Sequence, residues 1–348
     1  MRNTSHRRTA LRSLGAIAVA AIVATPLAAR PALAQSSATA GSIHPDCAAQ
    51  PLTEDACQLS VDIFRVSTPL ITSALAGGAP ITDIANGSQR FRIGLRVSAV
   101  NGFFPDLAGR DVGTGAARST AVATEEVPVP VPTVDVSAQL FPGIRLGIGP
   151  LGFGRVGAVS ALASATYLPD VEGEEDFSVT TEGSGLKFGF GGRVGIVEGL
   201  PFLPDLSASW EHRSLPTTNI AAYAEDDSLS LSDMSLASQS IRVIAAKRFP
   251  IIGITAGWGQ DRLDTKGKLS AVVRDPLSPV GVATQVVSIS DALTLSRYFA
   301  GLSVALGPLG IGAEIGQVSG DAPVTYNTFD GADEDSRLFG TVTLRLAF

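Results

Sequence analysis

The end of the chain alternates strictly: Leu338, Gly340, Val342, Leu344, Leu346 and Phe348 share one parity, and Arg337, Thr341, Thr343 and Arg345 share the other. Successive side chains of a strand point to opposite faces, so this pattern predicts a strand with one apolar and one polar face. The pattern recurs. Phe91, Ile93, Leu95, Val97 and Ala99 oppose Arg92, Gly94, Arg96 and Ser98; Val134, Val136, Ala138 and Leu140 oppose Asp135, Ser137 and Gln139. Leu186, Phe188, Phe190, Val194 and Ile196 likewise oppose Lys187, Gly189, Gly191, Arg193 and Gly195. Less regular segments at 153–168, 203–214, 235–249, 251–265, 291–306 and 308–319, with a last strand at 336–348, bring the expected number to ten.

The connections between these segments alternate as well. Short turns rich in Pro and Gly occur at Gly149-Pro150-Leu151-Gly152, Gly199-Leu200-Pro201-Phe202, Phe249-Pro250-Ile251-Ile252-Gly253 and Gly307-Pro308-Leu309-Gly310. Long polar connections occupy 102–132, 169–185, 215–234, 266–290 and 320–335. Turns sorted this way, with lipid-ready apolar faces, predict an all-β fold: an antiparallel up-and-down transmembrane β-barrel over 90–348. Its short turns would face the periplasm and its long loops the exterior. The 266–290 stretch holds two strand-like pieces, Leu269 to Arg274 and Val282 to Ile289, around Asp275-Pro276-Leu277-Ser278-Pro279. An outer hairpin suits the prolines and Lys266-Gly267-Lys268; two further spanning strands, giving twelve, remain the alternative.

The chain before residue 90 reads differently. Arg2, Arg7, Arg8 and Arg12 precede an apolar stretch from Leu14 to Ala28, and Ala32-Leu33-Ala34 supplies small residues before Gln35, so 1–34 is expected to be a cleaved signal peptide. Ala10 stands where a twin-arginine signal has a large apolar residue, which favours the general secretory route. Residues 35–89 form a separate segment, helical from Thr53 to Ala76 and stopped by Gly77-Gly78-Ala79-Pro80. It is expected as a periplasmic cap, as a plug inside the barrel, or as a partly ordered leader. Cys47 and Cys57 are the two cysteines, and in an exported protein they are expected to form one local disulfide.

Composition narrows the function. Removing the leader leaves 21 Lys and Arg against 33 Asp and Glu, a net charge of −12, so nucleic acid is a poor partner. Mean hydropathy is +0.27, yet beyond the leader no apolar run approaches the ~20 residues a spanning helix needs. The apolar content is dispersed in strands. No cofactor or metal site is expected, since only His44 lies near the cysteines.

The terminal residues Gly340-Thr341-Val342-Thr343-Leu344-Arg345-Leu346-Ala347-Phe348, with spaced apolar positions ending in Phe, resemble the C-terminal assembly signal of Gram-negative outer-membrane β-barrel proteins. The resemblance implies location in the cell outer membrane, with Gly340, Val342, Leu344, Leu346 and Phe348 read by the barrel-assembly machinery. Outer-membrane lipid and lipopolysaccharide are then the surroundings, and small solutes are possible cargo.

The inward faces are expected to carry Arg92, Arg96, Lys187, Arg193, Arg242 and Arg345 against Asp135, Glu211 and Glu314. Such groups either pair with one another and fill the barrel or line a narrow, anion-preferring pore. Inward glycines, among them Gly189, Gly191, Gly195, Gly253, Gly257, Gly259, Gly312 and Gly316, suit either open space or a crowded, curved wall. Trp210, Trp258, Tyr167, Tyr298, Phe249 and Phe348 are candidates for interfacial girdles. The expected role is a narrow channel or a structural surface protein. The alternative is a hydrolase at the extracellular rim. Ten-stranded outer-membrane proteases use a His with carboxylates there, and His212 in Trp210-Glu211-His212-Arg213-Ser214, followed by Asp226 and Asp227, is the one candidate. An Asp two residues before the His is missing, and His212 shares the lipid-facing parity of Leu206 and Ala208, so an enzyme is not expected. The acidic runs Glu172-Gly173-Glu174-Glu175-Asp176 and Asp333-Glu334-Asp335 read as solvated surface.

Overall fold

The computed structural model describes residues 41–79, 90–105, 114–147, 153–168, 171–172, 177–183, 185–224, 227–274, 281–320, 323–330 and 336–348. The expected leader, the turn at 149–152 and most of both acidic runs lie outside these residues. Ten antiparallel strands close into a ring. They are β1 (Phe91–Pro105), β2 (Thr124–Phe141), β3 (Ala158–Tyr167), β4 (Leu186–Val197) and β5 (Asp205–Ser214). The second half is β6 (Asp227–Arg248), β7 (Ile252–Arg274), β8 (Val282–Leu306), β9 (Leu309–Gly320) and β10 (Ser336–Ala347). Each strand pairs with its sequence neighbours, and β10 pairs with β1, where Gly94 faces Arg345 and Val97 faces Val342. The stretch expected as one strand over 153–168 is divided: Phe153–Val156 pairs with Ile144–Gly147 in a hairpin at the short-turn end, and Gly157, at φ +73°, separates it from β3.

The strands differ in length. β6, β7 and β8 have 22, 23 and 25 residues, whereas β3 and β5 have 10. The 266–290 stretch is therefore the far end of a β7–β8 hairpin, in register from Ile252 and Val304 to Arg274 and Val282. Along β7 the outward row begins Ile252, Ile254, Ala256, Trp258 and continues Gln260, Arg262, Asp264, Lys266, Lys268. The inward row changes oppositely, from Gly253, Thr255, Gly257, Gly259 and Asp261 to Leu263, Leu269, Ala271 and Val273. β8 repeats the switch: Tyr298, Leu302, Val304 and Leu306 face out near the short-turn end, but Ser288, Ser290, Thr294 and Ser296 face out beyond. Its inward row passes from Ser303 and Arg297 to Leu295, Ile289 and Val287. β1 does the same where Val100 turns in and Asn101 turns out. Trp258 and Tyr298 are register partners at this level, and both rings face outward.

Near the short turns the barrel is thus apolar outside and polar inside, as lipid requires, and further along it is polar outside and apolar inside, as water requires. On β10 the outward row from Leu338 to Phe348 is uncharged; at ~3.3 Å per residue and a tilt near ~40° it is about 25 Å tall, a hydrocarbon thickness. Strands were expected to stop where this face ends. They run on with the parity of their apolar residues reversed, which explains why 124–132 and 227–234 read as polar connections; only in the 266–290 stretch was the continuation expected, as an outer hairpin.

Inside the reversed half lies α1 (Glu54–Ala76). Phe64, Leu75, Val61 and Ala56 are almost fully buried, packed with Val100, Val131, Leu236, Leu263, Val287 and Phe299 of the strands into one core, and Leu70 is equally buried against Gly102. Residues 41–53 sit at the long-loop end, where Gly41 N–H donates to Thr325 O (2.8 Å) and Asp55 N–H to Gly115 O (3.1 Å). The described part of the 35–89 segment is therefore within the ring and enters it from the side opposite the short turns. Cys47 and Cys57, with Cα atoms 5.5 Å apart, are bonded and tie the 3₁₀ turn Cys47–Ala49 to the start of α1.

Candidate functional site

The last turn of α1 reaches the middle of the lumen, and four guanidinium groups meet it there. A helix ends with carbonyls that lack intrahelical donors and with a partial negative charge, so cations are favoured at that position. Arg297 Nη2 donates to Ser73 O (2.8 Å) and Arg213 Nη1 to Ala76 O (2.7 Å). Arg242 donates to Ala76 O (2.9 Å), Gly77 O (3.0 Å) and Gly78 O (3.1 Å), and Arg96 Nη1 to Ala79 O (3.2 Å). Gly77, at φ +64°, turns the chain out of the helix, and a Cβ on Gly78 would strike the Glu314 carboxylate. Ala79 N–H instead donates to both Glu314 oxygens, at 2.9 and 3.0 Å.

The arginines are neutralised from the strand side. Asp261 accepts from Arg242 Nη1 (2.7 Å) and Arg297 Nε (2.8 Å), and all three side chains are at most 2% exposed. Asp135 binds Arg96 (2.9 Å) and lies 3.6 Å from Arg213, which also bonds Glu211. The Arg297 guanidinium lies 4.2 Å from the centre of the Phe339 ring, a cation–π contact. Glycines opposite these large groups are filled space: a Cβ at Gly257 would collide with Phe299, and one at Gly316 with Phe339.

Of the residues singled out in the sequence, Arg96, Asp135, Glu211, Arg242 and Glu314 meet in this network. Arg193 is inward too, but pairs with Glu198 (2.7 Å), nearer the short turns. Arg92 and Arg345 occupy the inward row on the same side, with Arg345 lying over Gly310. Lys187 shares the inward parity but is exposed, and is not placed in the central cluster. Arg213, Asp261 and Arg297 were missed. Their parity could have found them: Arg213 follows Glu211 by two, and Asp261 follows Gly259 by two.

A second set of contacts holds the upper part of α1. Asp62 accepts from Asn327 N–H (2.9 Å) and Nδ2 (2.8 Å), Tyr326 N–H (3.2 Å) and Gln58 Nε2 (2.9 Å). Burial raises its pKa above the ordinary carboxylate value, and these donors hold that rise down. Leu59 and Val66 pack on Val122 and Phe329, from the short parallel pair Ala121–Val122 and Thr328–Phe329.

His212 faces outward, its ring 5.5 Å from Phe190, with Trp210 5.6 Å from the same ring. Asp226 lies outside the described residues, and Asp227, expected in a loop, begins β6. The assembly-signal positions Val342, Leu344, Leu346 and Phe348 are outward and exposed. Phe348 N–H donates to Phe91 O (2.9 Å), closing the ring's seam.

No protein-family model matches the chain, and no curated protein matches it. Among solved structures it aligns with Ail, the attachment invasion locus protein of Yersinia pestis, at 9% identity and a TM-score of 0.27, covering 75% of this chain and 99% of that one. It aligns with the CymD monoaromatic hydrocarbon channel at 11% and 0.28, covering 80% and 97%. The Acinetobacter baumannii outer membrane protein Omp33 gives 9% and 0.24, covering 75% and 98%.

Proposed function

We propose that this chain is an outer-membrane surface protein: a barrel sealed by its own N-terminal helix that anchors a folded, strand-walled body outside the cell. One observation carries the reading. The lumen is closed twice, by an apolar core around α1 and by the guanidinium cluster on its C-terminal carbonyls. Drawing α1 out would expose Phe64, Leu70 and Leu75 at roughly 1.5–3 kcal/mol each and break charged hydrogen bonds of similar size. Ligand-driven equilibria typically shift by a few kcal/mol, which falls short of that cost.

Residues 1–34 would be removed on export, and the C-terminal strand would be presented to the barrel-assembly machinery from the periplasm. The short turns would then lie in the periplasm and the reversed half outside, among lipopolysaccharide. Planar bilayers test the reading. Wild-type protein is expected to show no conductance steps in either potassium chloride or potassium acetate; steady steps from the wild type would overturn it in favour of a narrow channel.

A further inference from the structure

The two longest lengths of strand edge without a strand neighbour among the described residues lie on β2 and β8. β2 pairs with β1 from Thr124 onward but with β3 only from Thr133, so its edge is open over 124–132. There Pro128, Pro130 and Pro132 alternate beside Glu125 and Glu126, and residues that cannot donate to a ladder block strand addition. The other open edge has no such block. β8 pairs with β7 along its whole length, but with β9 only from Leu295 to Leu306, which leaves the edge from Val282 to Thr294 open.

Its outward row there is Val282, Thr284, Val286, Ser288, Ser290, Ala292 and Thr294, exposed and uncharged. The inward row holds a single charge, Asp291, which faces Arg65 at 3.6 Å. A long, β-prone edge without proline and with an uncharged outward row is a template for another strand.

We infer that the Val282–Thr294 edge of β8 pairs antiparallel with the same edge of a second copy of this chain. The edge is self-complementary about Ser288. A twofold axis there sets Val282 against Thr294, Thr284 against Ala292, Val286 against Ser290 and Ser288 against itself. On the inward row it sets Ala283 against Leu293, Val287 against Ile289 and Asp291 against Gln285. No like charges meet, and two outward rows join on one face, as a closed isologous contact requires. The axis is normal to the sheet, so it reverses the barrel direction. The two copies therefore stand in facing membranes, a contact between cells. The direction of that contact rests on the proposed outward orientation of the reversed half; the pairing itself does not.

The test uses purified full-length barrel in detergent. Ser288→Cys is oxidised with diamide beside Ser235→Cys, an exposed position on β6 away from the edge. The Ser288→Cys chain is expected to form a covalent dimer at least about ten-fold faster, because pairing raises the local thiol concentration. In sedimentation the wild type is expected to show a monomer–dimer equilibrium. The Ser288→Lys/Ser290→Lys variant, whose lysines point outward and leave β7–β8 pairing intact, is expected to be monomeric with unchanged circular dichroism. Equal cross-linking at both positions, a strictly monomeric wild type, or a dimer that survives the lysines would overturn the inference. A dimer in detergent with residue 288 unlabelled on intact cells would remove the outward orientation and leave the pairing standing.

Discussion

At the scale of residues, Asp261 is the pivot of the lumen. It is buried between Arg242 and Arg297, and both arginines also hold helix carbonyls. Arg242→Ala leaves Asp261 with Arg297 as its one ion-pair partner and leaves the Gly77 and Gly78 carbonyls without the Arg242 donors. The expected cost is about 3–5 kcal/mol, read from urea unfolding of the barrel in vesicles. Arg262→Ala, one residue along β7 and exposed to solvent, is expected to change stability by about 0.5 kcal/mol or less in the same measurement. The arginines of β1 and β6 were legible because they sit among apolar outward neighbours that fix their parity. Asp261 and Arg297 were not. They lie inside the expected segments 251–265 and 291–306, but at the level where the rows exchange character, so apolar neighbours no longer tell which parity faces inward.

At the scale of elements, α1 is held by its whole length: a disulfide loop at its start, Asp62 on the 326–327 backbone in its middle, and guanidinium groups at its end. Leu70 lies against Gly102, where any Cβ would displace it. Leu70→Ala is therefore expected to cost about 2–5 kcal/mol, measured by thermal unfolding in detergent. Cys47→Ser is expected to cost about 2–3 kcal/mol, the loop-closure value for a separation of 10 residues. Its signature is faster protease cleavage within 41–53 with the barrel still resistant. That a helix begins near Thr53 and stops at Gly77 could be read from the sequence. Its burial in the ring was one of three alternatives and could not be singled out, because the surface that receives it is built from strand segments far apart in the chain whose apolar parity points inward.

At the scale of the whole molecule, the exchange of polar and apolar rows makes the effect of a charge depend on its height. Ile254→Arg, outward in the lower row of β7, is expected to cost about 2–4 kcal/mol in vesicles. Gln260→Arg, outward on the same strand above Trp258, is expected to cost close to nothing, and Leu263→Arg, inward there, is expected to prevent assembly of the heat-resistant form. Equal effects at 254 and 260 would contradict the boundary drawn at Trp258 and Tyr298. The strand number and the sorting of short and long connections were readable because lipid imposes them on the outward row. Of the upper wall only the outer end of the β7–β8 hairpin was readable, since above the boundary the same alternation serves a water-facing exterior.

The path of α1 also dictates an order of events in folding. α1 enters the ring from the disulfide loop at the long-loop end and stops in the middle of the lumen, and β1 begins beside the short turns, where Phe91 meets Phe348 across the seam. A closed ring cannot afterwards admit a helix preceded by a cross-linked loop except by drawing both through a lumen its own side chains fill. At least one ladder of the ring is therefore expected to be still open when α1 docks. A chain whose helix is late would be trapped as an open sheet, and its lifetime at that stage would be set by docking of α1.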